Sequence, residues 1–413
     1  MDRSKMIIGA DLLYDGKGKA TQMTIVVEEG KIVEVSNKKY KSDIKGIVTP
    51  AFIDPHSHIG MERQGEPAAE SEVDDTYKTI SPMQNPVDSI YFDDRAFVEA
   101  VDFGVLYSCV VPGSGNLIGG RAVTIKNFAA NRRGAVLDDY GFKMALGHNP
   151  RANPVSHSGR HNTRMGNASL LEKNFSDVLR KEKQAKIKKE KALFDLKKES
   201  KKNTFSNQET EQNKTWIEEE YKLALSSEQW TLFEMLSGQK TIKVHVHKED
   251  DALYLIDLKK KYDLKITAEH ACSISRMEIF REFLENDIPV VYGPMSSLDY
   301  KVELNGASYK NVVPLMASGV RFGLMTDHPV ILAHHLRDSL KYFLIRGMSP
   351  EKAIGLISFE NARILHLDDR LGSVEPGKDA SLIVWNQDPF YMGAFPVMVM
   401  AEGRIVRENK GRP

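Results

Sequence analysis

Eight apolar, strand-like runs alternate with helical patterns through the middle of the chain, and both ends read as short strands and turns. These observations predict an α/β fold: a TIM (β/α)8 barrel, a small β-sandwich domain built from both chain termini, and a helical insertion. The 413 residues, 41% hydrophobic and 28% charged, suffice for a large core plus accessory structure.

At the N-terminal end, MIIGADLLYD and QMTIVVEEGKIVEVS alternate apolar and polar residues, and the second run turns at Glu29-Gly30 as a hairpin would. ASLIVWNQD, FPVMVMAEGRIVREN and the turn-rich VEPGKD give the other end the same texture. Residues 1–48 and 366–413 are therefore read as the two parts of the sandwich, with the barrel over 49–365. The barrel strands expected in order are GIVTPAFID, VLYSCVV, AVTIKN, FKMALG, TIKVHVH, LKITAEH, IPVVYG and VRFGLMTD. Their alternation with helical patterns predicts βα units and a parallel sheet.

One segment exceeds a plain barrel. From Asn167 to Lys202 the pattern is helical and rich in lysine, with Leu171, Phe175, Val178 and Leu179 as an apolar stripe. NTFSNQETEQN is expected to interrupt it before a second helical piece around Trp216 to Leu236. The insertion is placed at about 165–238. Its basic face reads as a solvated surface with i,i+4 charge pairs, or as a surface for an anion or partner.

Composition narrows the partners. Lys+Arg and Asp+Glu both number 57, which gives no global electrostatic reason to expect nucleic acid or an anionic membrane. No run approaches the roughly 18 apolar residues of a membrane span, and no secretory leader is recognised, so the expected location is cytoplasmic. The partner expected is a small-molecule substrate, with a homo-oligomer through the insertion left open. Cys109 and Cys272 form neither a disulfide framework nor a C-x-x-C pair, and read as buried, reduced thiols.

Catalysis in a barrel sits at the C-terminal ends of the strands, which directs attention to the polar residues closing these runs. PAFIDPHSHIG places His56 and His58 one residue apart at the end of an apolar run, and residues i and i+2 of a strand face one side. TIKVHVH adds His245 and His247, ITAEH adds His270, and FGLMTDHP adds Asp327. Imidazole and carboxylate suit zinc and other divalent ions, and the lack of thiolates argues against a Cys-rich structural zinc site.

This set resembles the amidohydrolase superfamily of metal-dependent hydrolases: H-x-H on the first barrel strand, histidines on the fifth and sixth, Asp on the eighth. SVEPGKDASLIVWN resembles that family's return to its terminal β-domain. PGSGNLIGG, FKMALGHNP, VHVHKEDD and TDHP look most like the imidazolonepropionase-related branch, which does not imply imidazolonepropionase activity. The resemblance implies one or two divalent ions, zinc first among them. His56 and His58 would hold the more buried ion with Asp327, and His245 and His270 a second, with His247 competing for the place of His245. It also implies a bridging residue on the fourth strand, where Lys143 qualifies only if carboxylated and His148 is its rival.

The chemistry implied is hydrolysis of a C–N bond in an amide, cyclic amide or dipeptide-like substrate. Asp327 would act as general base and then acid, and His270 or His328 would stabilise the oxyanion. His328 could instead hydrogen-bond behind the site. A heterocycle deaminase is the enzymatic alternative. Deaminases of the superfamily carry Glu three residues beyond the fifth-strand His; here Lys248 holds that place after His245, with Glu249 adjacent. A catalytically inactive barrel used for binding or assembly is the other alternative. PGSGNLIGGR matches neither the Walker pattern nor G-x-G-x-x-G and reads as a tight loop at the barrel mouth, with Arg121 facing a substrate carboxylate. G-x-S-x-G is absent. The His- and Arg-rich stretch from His148 to Asn162 reads as an active-site loop or an exposed connection.

Overall fold

The computed structural model describes residues 5–63, 67–152, 162–202, 205–297 and 301–409. The two ends form one sheet from β1 (Lys5–Tyr14), β2 (Ala20–Glu28), β3 (Lys31–Ser36), β4 (Ile44–Pro50), β13 (Leu382–Trp385), β14 (Pro396–Ala401) and β15 (Arg404–Glu408). Its order is β15-β14-β13-β4-β1-β2-β3. A bridge between Lys31 and Asp379 brings the β3 end back toward the chain entering β13. The terminal unit is thus a single curled sheet, where two stacked sheets had been expected. Its own core of Ile8, Leu13, Ile25, Val48, Leu382 and Met398 accounts for the curl, because one apolar face must be closed over itself. The β2–β3 turn holds Glu29 at φ 48° and Gly30 at φ 82°, the two left-handed residues that a two-residue hairpin turn matched to strand twist requires.

The second sheet has eight strands in sequence order: β5 (Phe52–Ser57), β6 (Val105–Val110), β7 (Ile118–Lys126), β8 (Val136–Ala145), β9 (Thr241–Val246), β10 (Ile266–His270), β11 (Val290–Tyr292) and β12 (Phe322–Leu324). GIVTPAFID, expected as one strand, is split between the sheets at Ala51, whose N–H bonds the Ser381 carbonyl. The sheet is also mixed, since β7 runs antiparallel to both β6 and β8. A parallel crossover needs a dozen or more residues, and the short turn from Val111 to Leu117 cannot supply one.

Closure between β12 and β5 depends on specific polar contacts. The Asp327 N–H donates to the His56 carbonyl (3.2 Å), and the His58 N–H to the His328 carbonyl (2.9 Å). Buried Asn361 donates to the carbonyls of Ile53 (2.7 Å) and Leu324 (2.8 Å), one on each side of the seam. The buried Asp54 carboxylate accepts from the Thr326 N–H (3.2 Å) and hydroxyl. These bonds hold the ends carrying His56, His58 and Asp327 together.

The insertion between β8 and β9 contains helices Arg164–Ser200, Asn207–Leu223 and Ser227–Leu236. The first helix ends at Ser200, and within the Ser/Asn/Gln-rich stretch the second begins at Asn207, earlier than the piece expected around Trp216. Ser206 and Glu209 form a reciprocal capping box there, so the polar residues cap the helix rather than compete with it. Leu171, Phe175 and Val178 are buried at the root of the long helix, and Leu179 packs partly buried beside them. Farther along, Lys189 pairs with Glu218 (2.7 Å) and the Tyr221 hydroxyl donates to Glu182 (2.7 Å). Among the described residues no helix is long and apolar enough to cross a membrane. Both cysteines are buried thiols.

Candidate metal centre

Period-two alternation places the polar side chains of adjacent barrel strands together. Lys143 of β8 is in register with Lys243 of β9, and His245 of β9 with Glu269 of β10. All four are buried. His270 ends β10 at φ 74°, and Asp327 lies just past β12 at φ 54°. Left-handed backbone at non-glycine residues is unfavourable and persists where the surroundings hold it, as at a site.

Two trios converge at the mouth. His56, His58 and Asp327 form one, and His245, His247 and His270 the other; within each, one ligand atom per residue lies within 4.8 Å of the others. The His58 Nδ1 faces the Val111 carbonyl (2.7 Å), which turns its Nε2 to Asp327 Oδ1 (3.2 Å). The His56 Nδ1 faces Glu269 Oε2 (2.7 Å), and its Nε2 lies 3.5 Å from Asp327 Oδ1 and 3.2 Å from Lys143 Nζ. The His270 Nδ1 faces the Gly293 carbonyl (3.0 Å). The rings of His56 and His270 are 5.0 Å apart, which joins the trios.

Within the second trio the hydrogen bonding is uneven. His245 has both ring nitrogens engaged, Nδ1 with Ser114 Oγ (3.0 Å) and Nε2 with Glu303 Oε1 (3.2 Å). The His247 Nδ1 and His270 Nε2 are buried with no partner among the described residues. A buried ring nitrogen left without a hydrogen bond is costly, and a metal ion is one group that satisfies it.

The electrostatics suit ligation. Burial holds His56 and His270 well below the ordinary imidazole range, moves His245 the same way, and brings His247 down to about 3. Burial alone would raise Asp327, but the hydrogen bond and charge of His58 bring it below the usual carboxylate value. Burial likewise opposes ionisation of Glu303, yet its bond to His245 lowers it. Imidazoles at His56, His245, His247 and His270 biased toward their neutral form, beside a carboxylate biased toward ionisation, suit a divalent ion. The donor set therefore fits one. The cleft above it has a volume of about 320 Å³ and is lined by His58, Ser114, His245, His247, Lys301 and Asp327, among others.

The chain resembles known proteins in both sequence and fold. A family model described as "Amidohydrolase family" matches residues 207–406. The chain is 24% identical over 412 residues to amidohydrolase tasK of Hapsidospora irregularis, covering 92% of this chain. It superposes on the crystal structure of an amidohydrolase from Thermotoga maritima MSB8 with TM-score 0.84 at 27% identity, over 98% of this chain and 100% of that one. Together these matches support the amidohydrolase superfamily as the chain's family. A shorter match, 25% over 196 residues and 42% of this chain, is to a 5-methylthioadenosine/S-adenosylhomocysteine deaminase of Symbiobacterium thermophilum. The chain spans 39% of the length of each of these two curated relatives.

The other residues singled out by the sequence are engaged in specific contacts. Arg121 is paired with Asp139 and Glu234 (both 3.1 Å), away from any substrate carboxylate at the mouth. Glu249 accepts from the N–H groups of Ser275 (3.2 Å) and Arg276 (3.1 Å) and pairs with the Arg276 side chain. His148 meets the site through its backbone N–H, which donates to Glu303 Oε2 (2.9 Å). The His328 Nδ1 accepts from the Ala333 N–H (3.2 Å), and burial lowers this ring to about 4. PGSGN is the expected mouth loop, with Gly113 and Ser114 in the cleft wall, whereas the following residues enter β7. Residues 153–161 of the His- and Arg-rich stretch lie outside the described residues.

Sequence reasoning missed Ser114, Lys243, Glu269 and Glu303. Period-two placement of polar residues in TIKVHVH and ITAEH was the available signal for Lys243 and Glu269. Glu303 sits in a 3-10 turn (Val302–Leu304) without any periodicity that could have singled it out.

Proposed function

We propose that this protein cleaves a C–N bond of a small amide, cyclic amide or dipeptide-like substrate, using one or two divalent ions, zinc first among them. The observation that carries the reading is the convergence of two ligand trios on one cleft, with the His247 and His270 ring nitrogens buried and unpartnered among the described residues. In this reading His56, His58 and Asp327 hold one ion, and His247 and His270 the other. Sequence reasoning ranked His245 ahead of His247; the engagement of both His245 nitrogens favours the reverse, with His245 orienting Ser114 and Glu303. When bound, the ion acidifies water toward a pKa near 7 and polarises the scissile carbonyl.

Asp327 takes the proton from the attacking water and delivers it to the leaving nitrogen. With its Nδ1–H given to the Gly293 carbonyl, His270 presents a lone pair at Nε2, which suits a ligand better than an oxyanion donor. His328, bonded to the Ala333 N–H, positions the turn that carries Asp327. Burial pushes Lys143 down to about 8, so part of its amine is neutral near pH 7.5. That amine can add CO2 and lose a proton, giving an anionic N-carboxylate beside His56. The deaminase reading is weaker, because Glu249 is engaged with Ser275 and Arg276. Within the superfamily we keep the imidazolonepropionase-related branch as the one the motifs resemble, with its substrate left open.

The test is metal stripping and repletion. Zinc-replete protein is expected to hold one or two ions per chain and to hydrolyse a member of an amide, lactam and dipeptide panel, while chelated protein does not. Bicarbonate supplied during repletion should raise the recovered activity if Lys143 is carboxylated. Wild-type protein with no stoichiometric divalent ion after supplementation overturns the reading.

A further inference from the structure

The mechanism leaves two fully buried charged groups unused, Lys243 and Glu269. They lie on adjacent strands in the barrel interior, 3.1 Å apart as an ion pair. The Glu269 carboxylate is held at Oε1 by Lys243 and the Thr267 hydroxyl, and its Oε2 is 2.7 Å from His56 Nδ1. A buried ion pair is weak evidence for stability, since apolar residues of similar volume often serve as well or better. A carboxylate directed at one nitrogen of a ring has a more specific effect: it requires the hydrogen on that nitrogen and leaves the lone pair on the other.

We propose that Lys243, Thr267 and Glu269 form a positioning relay that fixes His56 as the Nδ1–H tautomer and aims its Nε2 lone pair at the metal position. Lys243 pairs with Glu269 across the barrel interior, Thr267 fixes the carboxylate's rotation, and Glu269 sets the ring. The consequence lies on the opposite side of the imidazole, where Nε2 faces Asp327 and Lys143. His58 obtains the same tautomer from a backbone carbonyl, which mutation cannot remove; at His56 the acceptor is a side chain. The relay thus makes one of the two H-x-H ligands separately adjustable. The inference rests on the reading that His56 ligates metal, but its tautomer can be measured without any ion.

Two double variants separate positioning from charge balance, because both remove the buried charges together. Lys243→Met with Glu269→Met leaves no acceptor for His56, and zinc affinity, measured by chelator competition, is expected to fall by roughly 10- to 100-fold. Lys243→Met with Glu269→Gln keeps a carbonyl oxygen facing Nδ1 and should recover most of that loss. Wild-type affinity in the Met/Met variant, or equal losses in both variants, overturns the relay. Should either fail to fold, 15N NMR of histidine-labelled, metal-free wild type decides: Nδ1–H at His56 supports the relay and Nε2–H overturns it. A wild type that binds no zinc yet carries Nδ1–H at His56 defeats the metal reading while leaving the tautomer assignment in place.

Discussion

The barrel mouth and the helical insertion use charged residues in opposite ways. At the mouth, Lys143, Lys243, Glu269, His56 and His270 are buried and meet only a few fixed partners. Along the insertion, Lys188 and Glu220 pair with side chains 70% and 57% exposed. A buried polar group without its partner forfeits its desolvation energy, whereas an exposed pair exchanges its partner for water. Residue identity should therefore matter greatly in the first region and little in the second, although both are rich in charge.

The largest break expected is the joint substitution His56→Ala and His58→Ala, which removes two of the three members of one candidate trio. Loss of the inner ion by metal analysis, with activity at background, is the expected outcome. Asp327→Asn comes next: with metal content matched to wild type, kcat should fall by roughly 10²–10⁴, the range for general acid–base catalysis, with the fold retained. Near-normal turnover in that metal-replete variant would move the proton transfer to another group.

The root of the insertion sharpens the comparison, because there it behaves like core. Phe175 is fully buried and meets Tyr262 edge-on at 5.3 Å, so Phe175→Ala should cost about 3–5 kcal/mol in denaturant unfolding. A much smaller cost would show that the long helix is only loosely docked. The smallest effect belongs to Lys188→Met near the far end, where stability should stay within about 1 kcal/mol of wild type. A larger loss there would mean that the exposed pair forms part of a network.

What the sequence revealed follows the same division. Candidate ligands on regular strands were legible because period two sends i and i+2 to one face: His58, His245 and His247 line one cleft, and His56 joins His58 and Asp327 in one trio. The antiparallel course of β7 was not legible, since strand direction depends on a connection whose length was read as loop rather than as a limit on crossover. The capping role of Ser206 was hidden for a related reason. Serine and asparagine favour turns and helix N-termini alike, and only the Glu three residues later distinguishes the two. The preference between His245 and His247 turned on Glu303, which approaches from a turn far along the chain.

The reversal of β7 also bears on how the chain finds its fold. β6, β7 and β8 form a meander joined by connections of under a dozen residues, so their contacts close over short stretches of chain and can form early. The next pairing, β8 with β9, must close across the entire insertion. Loop-closure entropy grows only logarithmically, about 0.6 kcal/mol for each doubling of length. A connection that already holds several helices could therefore lengthen further at little thermodynamic cost. The joint between Ala145 and Thr241 is thus the place where this barrel can best accept new sequence, while the short turn into β7 has little room to grow without loosening the wall that carries Ser114.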